Sequence, residues 1–207
     1  GKSSDANIYN CNDEKFNVHN IIQAYSGNST TCKTVNEFKQ SFKFGRVELI
    51  ARKENMGLRK HILWCGDQVK KKGAVIVLED DLYVDPQFYY YASHAATFYE
   101  HESDVAGIAL YSQEHNEYAR LPFKPIDNGC TGYFMQMACS WGQLWTVNQW
   151  SAFSKWYKLN IERDLRDIDG LPNAVKNWPD SSWKKYFSAY LILEGKSFFY
   201  PYRTYTT

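Results

Sequence analysis

The sequence has no long apolar stretch, no excess of one charge and no internal repeat. A membrane-spanning helix needs roughly 20 consecutive apolar residues, and no run in the 207 residues approaches that length. The formal net charge of +1 gives no general electrostatic attraction to nucleic acid or to an anionic membrane. The chain is therefore predicted to have no membrane span and to bind no nucleic acid.

Cysteine spacing typical of a metal site is also missing. The five cysteines, Cys11, Cys32, Cys65, Cys130 and Cys139, are odd in number and widely separated. Cys65 and Cys139 lie in apolar sequence, which favours buried free thiols, and free thiols are typical of a reducing compartment. The expected location is the cytoplasm, including a peripheral position on the inner membrane face.

The sequence does contain enough apolar material for one hydrophobic core. Hydrophobic residues make up 44% of the chain and charged residues 23%, as in ordinary globular proteins. The length suits a single domain, so residues 1–207 are predicted to form one. Gly1 begins in loop-like sequence and a β-like pattern continues to Thr207, so the domain is expected to be trimmed at both ends.

The periodicity of apolar residues predicts an α/β fold. Helical spacing predicts a helix from Glu14 to Tyr25 and another that begins near Leu58. Val47 to Ala51, Ala74 to Leu78 and Val105 to Leu110 are predicted strands, and a continuous apolar run is typical of a strand covered on both faces. A strand, a helix and a strand in about 30 residues predict a βαβ unit. We therefore expect a mixed, mainly parallel sheet flanked by helices, with these three strands as neighbours and no strand before Val47.

Three acids, Glu79, Asp80 and Asp81, directly follow the most apolar predicted strand. In open α/β sheets, ligands bind beyond the carboxyl ends of the strands. Crowded carboxylates repel each other unless they share a cation, and Mg²⁺-type sites use one or two carboxylates together with substrate phosphates. A metal and phosphate site is one interpretation of the triplet. Helix capping by acids in a solvated turn is the other, and the local pattern favours neither.

Three segments in order resemble GT-A glycosyltransferases, most closely the N-acetylglucosaminyltransferase I family and its bacterial polysaccharide-biosynthesis relatives. In that family an apolar strand delivers a Glu-Asp-Asp triplet, and a Pro and a Phe open the next helix, as in Val77 to Phe88. Leu58 to Trp64 resembles the family's basic-His-x-x-Trp helix, and Ser140 to Trp145 resembles its Ser-Trp-Gly segment. The similarity runs from about Asn55 to Tyr205. It implies the Rossmann-like GT-A fold, here lacking its first strand.

The resemblance implies a role for each donor-side residue. Asp81 matches the family's metal ligand, which would hold Mn²⁺ or Mg²⁺ against the diphosphate of a sugar nucleotide, most simply a UDP-sugar. Asp80 matches a position that contacts the ribose or the water ligands of the metal. Glu79 matches one that shapes the nucleotide pocket, and His61 matches a histidine that approaches the nucleotide.

The acceptor side is less completely matched. Trp141 and Gly142 fall in the segment that lines the acceptor cleft of the bacterial members. The family's general base is an aspartate in a Trp-rich acidic segment, and Asp180 is the nearest carboxylate in the corresponding stretch from Trp178 to Trp183. Asp180 equally suits a helix N-cap, and Asp167 and Asp169 are further candidates for the base.

Three functions remain open from the sequence. The first is an inverting, metal-dependent glycosyltransferase that moves a hexosyl or N-acetylhexosaminyl group from a nucleotide sugar to a glycan or polysaccharide acceptor. The second is a non-catalytic module of the same shape that binds glycan or protein. The third is a metal-dependent phosphoryl-transfer enzyme or hydrolase, because clustered acids also serve two-metal sites.

Overall fold

The strand that precedes the three acids lies inside a large mixed sheet. The computed structural model describes residues 6–10, 20–26, 36–43 and 46–207. Ala74 to Leu78 are buried on both sides, as a continuous apolar run predicts, and they form most of the strand Ala74–Glu79. The prediction of a mixed α/β fold with helices flanking a sheet is confirmed.

The strands, in chain order, are β1 Ala6–Asn10, β2 Asn20–Ser26, β3 Arg46–Arg52, β4 Ala74–Glu79, β5 Val105–Ala109, β6 His115–Asn116, β7 Leu121–Pro122, β8 Gly132–Met135, β9 Gln143–Thr146 and β10 Ser197–Pro201. The helices are α1 (36–41), α2 Leu58–Asp67, α3 Val69–Lys72, α4 Phe88–Tyr99, α5 Val147–Asn160, α6 Asn173–Lys176 and α7 Trp183–Leu193. A 3₁₀ helix covers Leu165–Asp167, and β6 and β7 form a separate two-stranded hairpin.

The other eight strands form one sheet in the order β3-β2-β1-β4-β9-β5-β10-β8. Two neighbouring pairs, β2 with β3 and β5 with β10, are parallel, and the other five pairs are antiparallel. The prediction of a mainly parallel sheet is therefore wrong for the pairings. Most strands nevertheless point in one direction, namely β2, β3, β4, β5 and β10. The other three strands of this sheet, β1, β8 and β9, run in the opposite direction.

The three predicted strands exist, but they are not neighbours. Between β3 and β4 lie β2 and β1, and between β4 and β5 lies β9. The helix α2 does connect β3 to β4, yet the two strands it joins never share hydrogen bonds. Periodicity reports which residues form a strand, whereas the choice of partner depends on segments far away in sequence.

The region before Val47 was also predicted incorrectly. Asn20–Ser26 is a strand, with Ile22 opposite Ile8 of β1 and Ile21 opposite Val47 of β3. Two strands thus precede β3, and the helix predicted from Glu14 to Tyr25 is wrong over 20–25, while 14–19 lie outside the described residues. Short apolar runs suit both periodicities, and β-branched residue types such as isoleucine have a general preference for strands.

The two faces of the sheet are covered by different helices. Val75 and Val77 of β4 face α2, α5 and α7, where a large aromatic cluster surrounds Trp145. Ile76 and Leu78 face the opposite side, against α4. Packing in the core accounts for much of the high aromatic content, because Trp150, Phe153, Phe187 and Tyr190 are all buried in this first cluster.

Close packing between α2 and α5 provides a test of the fold. Gly66 of α2 lies so close to the Trp150 indole that a methyl group there would overlap the ring. Glycine-to-alanine changes normally stabilise an exposed helix by about 0.5–1 kcal/mol. Here we expect Gly66→Ala to lower the free energy of unfolding by about 1–3 kcal/mol because the core would be overpacked. Denaturant unfolding measures this, with exposed Lys60→Ala on the same helix as the control; a stabilised variant would contradict the packing.

Candidate functional site

Three chain segments meet at one edge of the sheet. β4 ends at Glu79 and β5 ends at Ala109 on this edge, and antiparallel β9 begins there at Gln143. Gln143 pairs with both Val77 of β4 and Ala109 of β5. The acids therefore follow the carboxyl end of their strand, as predicted, and lie where open α/β sheets place their ligands.

The register of β9 brings the acids level with the Ser-Trp-Gly segment. Val77 is opposite Gln143, so extending the ladder by two residues places Glu79 level with Trp141. Side chains alternate along a strand, and Glu79 therefore lies on the same side of the sheet as Val77. That is the side covered by α2 and α7.

Electrostatic crowding is strongest at Glu79. Its side chain is half-buried, whereas Asp80 and Asp81 are exposed. Burial, together with the negative charges of Asp81 and Asp80, raises the pKa of Glu79 to about 7, with Lys184 acting in the opposite direction. The three carboxylates thus lie close enough in the folded chain for Asp80 and Asp81 to disfavour ionisation of Glu79.

A cleft of about 600 Å³ lies on this side of the sheet. Three aromatic side chains line it: Tyr111 after β5, Trp141 before β9 and Trp178 before α7. The Tyr111 and Trp141 ring centroids are 4.7 Å apart, and Trp141 is 49% exposed. The remaining lining residues are Leu58, Gln113, His115, Glu117, Cys139, Ser140, Pro179, Ser181, Ser182 and Lys184.

An ion pair in the cleft is largely shielded from solvent. Lys184 Nζ donates to Glu117 Oε1 at 2.5 Å, with the two side chains 11% and 33% exposed. The same ammonium lies 5.8 Å from the centroid of the Trp178 ring. Lys184 also lowers the pKa of Glu79, so its charge acts on the acid turn and on the cleft at once.

Residues near position 207 hold the two sides of the site together. Backbone hydrogen bonds join Thr207 to Tyr83 in both directions, at 2.9 and 3.0 Å, and the Asp85 amide donates to the Tyr205 carbonyl. The buried Thr206 hydroxyl donates to the Trp141 carbonyl. We call residues 204–207 the C-terminal strap, because they connect the loop after the acids to the aromatic cleft.

Two other predicted residues, His61 and Gly142, do not line the cleft. His61 is buried on α2, with its ring centroid 6.2 Å from Trp64, and does not line the cleft. Gly142 has a φ of +89°, and a Cβ there would lie 2.8 Å from Thr206 Cγ2. Glycine is thus required at position 142 by the strap rather than by the cleft.

Asp180 is separated from the cleft. Its carboxylate is 80% exposed, pairs with Lys185 at 2.8 Å and lines a neighbouring concavity, and this pairing lowers its pKa. The helix-capping interpretation is wrong, because Ser182 caps α7 by accepting from the Lys185 amide. Asp167 and Asp169 are exposed and do not line the cleft either.

Two residues in the cleft were missed by the sequence reasoning. Glu117 lies in the polar loop 112–129, which lines the cleft through Gln113, His115 and Glu117. Lys184 follows the apolar Trp183 and has no motif of its own. Only the ion pair between them identifies both, and a pair 67 positions apart leaves no local signal.

The chemistry of the donor set fits a metal-bound diphosphate only if the ligand supplies most of the oxygens. Among the described residues, no three His, Cys, Asp or Glu side chains are grouped to hold a metal ion. One or two carboxylates are sufficient for Mg²⁺-type sites in which phosphates complete the coordination. Buried Gln143 adds a polar group at the same edge, since neither of its side-chain amide atoms has a protein hydrogen-bond partner.

The three cysteines within the described residues are free thiols. Cys65 and Cys139 are buried and free, as predicted, and burial raises the pKa of Cys139 to about 11. Cys130 is free and exposed, and Cys11 and Cys32 lie outside the described residues.

Comparisons with known proteins give no family assignment: no protein-family model matches the chain, and no curated protein matches it either. Within the part of the chain that the structure describes, no helix has the length and apolar character to cross a bilayer.

Crowding at Glu79 predicts a pH-dependent stability. A raised pKa means that the ionised carboxylate destabilises the fold, so this cost is absent below about pH 4.5 and complete above about pH 7. We expect Glu79→Gln to stabilise the chain by about 1–2 kcal/mol near pH 8, a value reduced for partial exposure, and by nothing near pH 4. Urea unfolding at both pH values measures this. The exposed Glu54→Gln variant is the control, and an equal gain at both pH values would contradict the crowding.

Proposed function

We propose that the chain is a metal-dependent glycosyltransferase that uses a nucleoside-diphosphate sugar, most simply a UDP-sugar, as donor. One observation carries the proposal: an aromatic cleft and an acid turn lie at the same end of the sheet, where β4 and β5 end. None of the three acids lines the cleft itself, but the β4–β9 register places Glu79 level with Trp141, which does. A sugar has apolar C–H faces that pack on aromatic rings, and a diphosphate needs a cation. The acid turn suits the diphosphate of the donor together with its cation, and the aromatic cleft suits the sugar rings.

On the donor side, Asp81 is the proposed metal ligand, with Asp80 beside it. A bound Mn²⁺ or Mg²⁺ would neutralise charge that develops on the departing diphosphate. Glu79 and the amide of Gln143 provide further polar groups at the same edge. By the family resemblance alone, His61 is the histidine that approaches the nucleotide. Lys184 adds a fixed positive charge between this turn and the cleft.

On the acceptor side, Trp141, Tyr111 and Trp178 provide ring faces for a carbohydrate. The acceptor is a glycan or polysaccharide in this proposal, and inversion at the anomeric carbon follows from the family resemblance alone. Gly142 contributes indirectly, because it lets Thr206 approach and fix the backbone of Trp141.

The resemblance to GT-A enzymes supports the same function. Its three segments occur in the order and approximate spacing of that family, and two of them, the acids and Ser140 to Trp145, meet at one sheet edge. A mixed sheet between helices is compatible with a GT-A fold, which is part of the proposal.

A second candidate is a non-catalytic module of this shape that binds glycan. The position of Asp180 favours it, because the residue that matches the family's base lines a neighbouring concavity and pairs with Lys185 instead of lining the cleft with Trp141. Binding of UDP with Mn²⁺ and release of UDP from a sugar nucleotide distinguish an enzyme from such a module.

The metal role of Asp81 is directly testable. We expect Asp81→Asn to weaken Mn²⁺-dependent UDP binding more than about tenfold, because a neutral amide is a poor ligand for a hard cation. Calorimetry with UDP and Mn²⁺ measures the change. Asp104→Asn is the matched control, since Asp104 is an exposed aspartate just before the amino end of β5, at the opposite edge of the sheet. Unchanged binding in Asp81→Asn at an unaltered melting temperature would return the triplet to a structural role.

A further inference from the structure

We propose that Glu117 is the residue that deprotonates the acceptor hydroxyl and that Lys184 positions it. This inference rests on the proposed glycosyltransferase function and concerns the same site. It assigns the base to the polar loop over the cleft, in place of the aspartate suggested by the family resemblance.

Position is the first argument. A general base must lie within hydrogen-bond reach of the proton it removes, so it must face the acceptor. Among the described residues that line the cleft, Glu117 is the one carboxylate, and it shares this cleft with Trp141 and Tyr111. Asp180 lines the neighbouring concavity and is held there by Lys185.

Orientation is the second argument. Glu117 Oε1 is held by Lys184 Nζ at 2.5 Å, and Lys184 is itself fixed in the first turn of α7 with its side chain 11% exposed. A carboxylate has two oxygens with several lone pairs, so one oxygen can accept from Lys184 while the other remains for an acceptor hydroxyl. His115 also lines the cleft and its imidazole can take up a proton, but this side chain is exposed on the β6–β7 hairpin.

The chemical step balances with the groups named. The acceptor O–H bond breaks, and its proton moves to Glu117. The acceptor oxygen forms a bond to the anomeric carbon of the donor sugar while the bond from that carbon to the diphosphate oxygen breaks. The electron pair of that bond leaves with the diphosphate, and Glu117 later releases its proton to solvent.

Lys184 has donors for both the base and the diphosphate. A lysine ammonium has three donors, so it can hold Glu117 with one and reach a phosphate oxygen with another. Lys184 shares the cleft with Ser140 and Trp141, which precede β9 at the same end of the sheet as the acid turn. Lys184 is thus a positioning residue for the base and a fixed positive charge on the diphosphate side.

The test is turnover and binding measured on the same variants. Wild type is screened with UDP-glucose, UDP-galactose and UDP-N-acetylglucosamine against mixed monosaccharide and oligosaccharide acceptors, scored by UDP release. With the donor that is turned over, we expect Glu117→Gln to lower kcat by roughly 10²- to 10⁴-fold. UDP and Mn²⁺ binding should stay within about twofold, since the base contacts the acceptor. Glu114→Gln, three residues earlier on the same loop and outside the cleft lining, is the matched control.

Lys184 has its own signature. Lys184→Met should both lower kcat and raise the KM for the donor, and Lys184→Arg should restore part of both because it keeps the charge. A merely structural lysine would instead change the melting temperature with no rescue of kcat by arginine. Melting temperatures are therefore recorded for every variant.

The outcomes separate the two proposals. Active wild type with near-normal turnover in Glu117→Gln overturns the assignment of the base and leaves the glycosyltransferase proposal intact. A loss found instead in Asp180→Asn or His115→Asn also overturns it, in favour of that residue. Absence of both UDP binding and UDP release in wild type overturns the proposed function, and this inference with it.

Discussion

Antiparallel pairing of β9 between β4 and β5 is the constraint on which the whole site depends. Because β9 runs against its neighbours, its amino end lies at their carboxyl ends, and Gln143 pairs with both strands. The chain thus leaves or enters the sheet three times at one level, at Glu79, Tyr111 and Trp141. These segments lie far apart in sequence, and no local interaction would bring them together.

The accuracy of the sequence predictions follows the range of the interactions involved. Burial of Ala74–Leu78 and the place of the acids after it depend on neighbouring residues, and both were predicted. Insertion of β9 depends on partners more than 30 residues away, so the strand order was not. The prediction for Asp180 fails for a different reason: its contact with Lys185 on the first turn of α7 is close in sequence, but a motif does not encode it.

Charges in the site are arranged in alternating order. The acid turn is negative, Lys184 is positive and Glu117 is negative again, and the outer two act on the same ammonium. Removing one partner of a shielded pair leaves the other charge uncompensated, which is usually more costly than the pair itself is stabilising. Both the fold and the proposed chemistry therefore require a positive charge at Lys184, and its replacement affects both.

The C-terminal strap has a consequence for how the site comes into being. A ribosome delivers the acids more than 120 residues before it delivers Tyr205 and Thr207, whose backbone groups hold Tyr83 and Asp85. Contacts that span such a separation are closed late, because the entropy of a long loop must be lost first. Until residues 205–207 have been synthesised the acid turn lacks these partners, so the site gains its final geometry only after the chain has been made as far as Thr207.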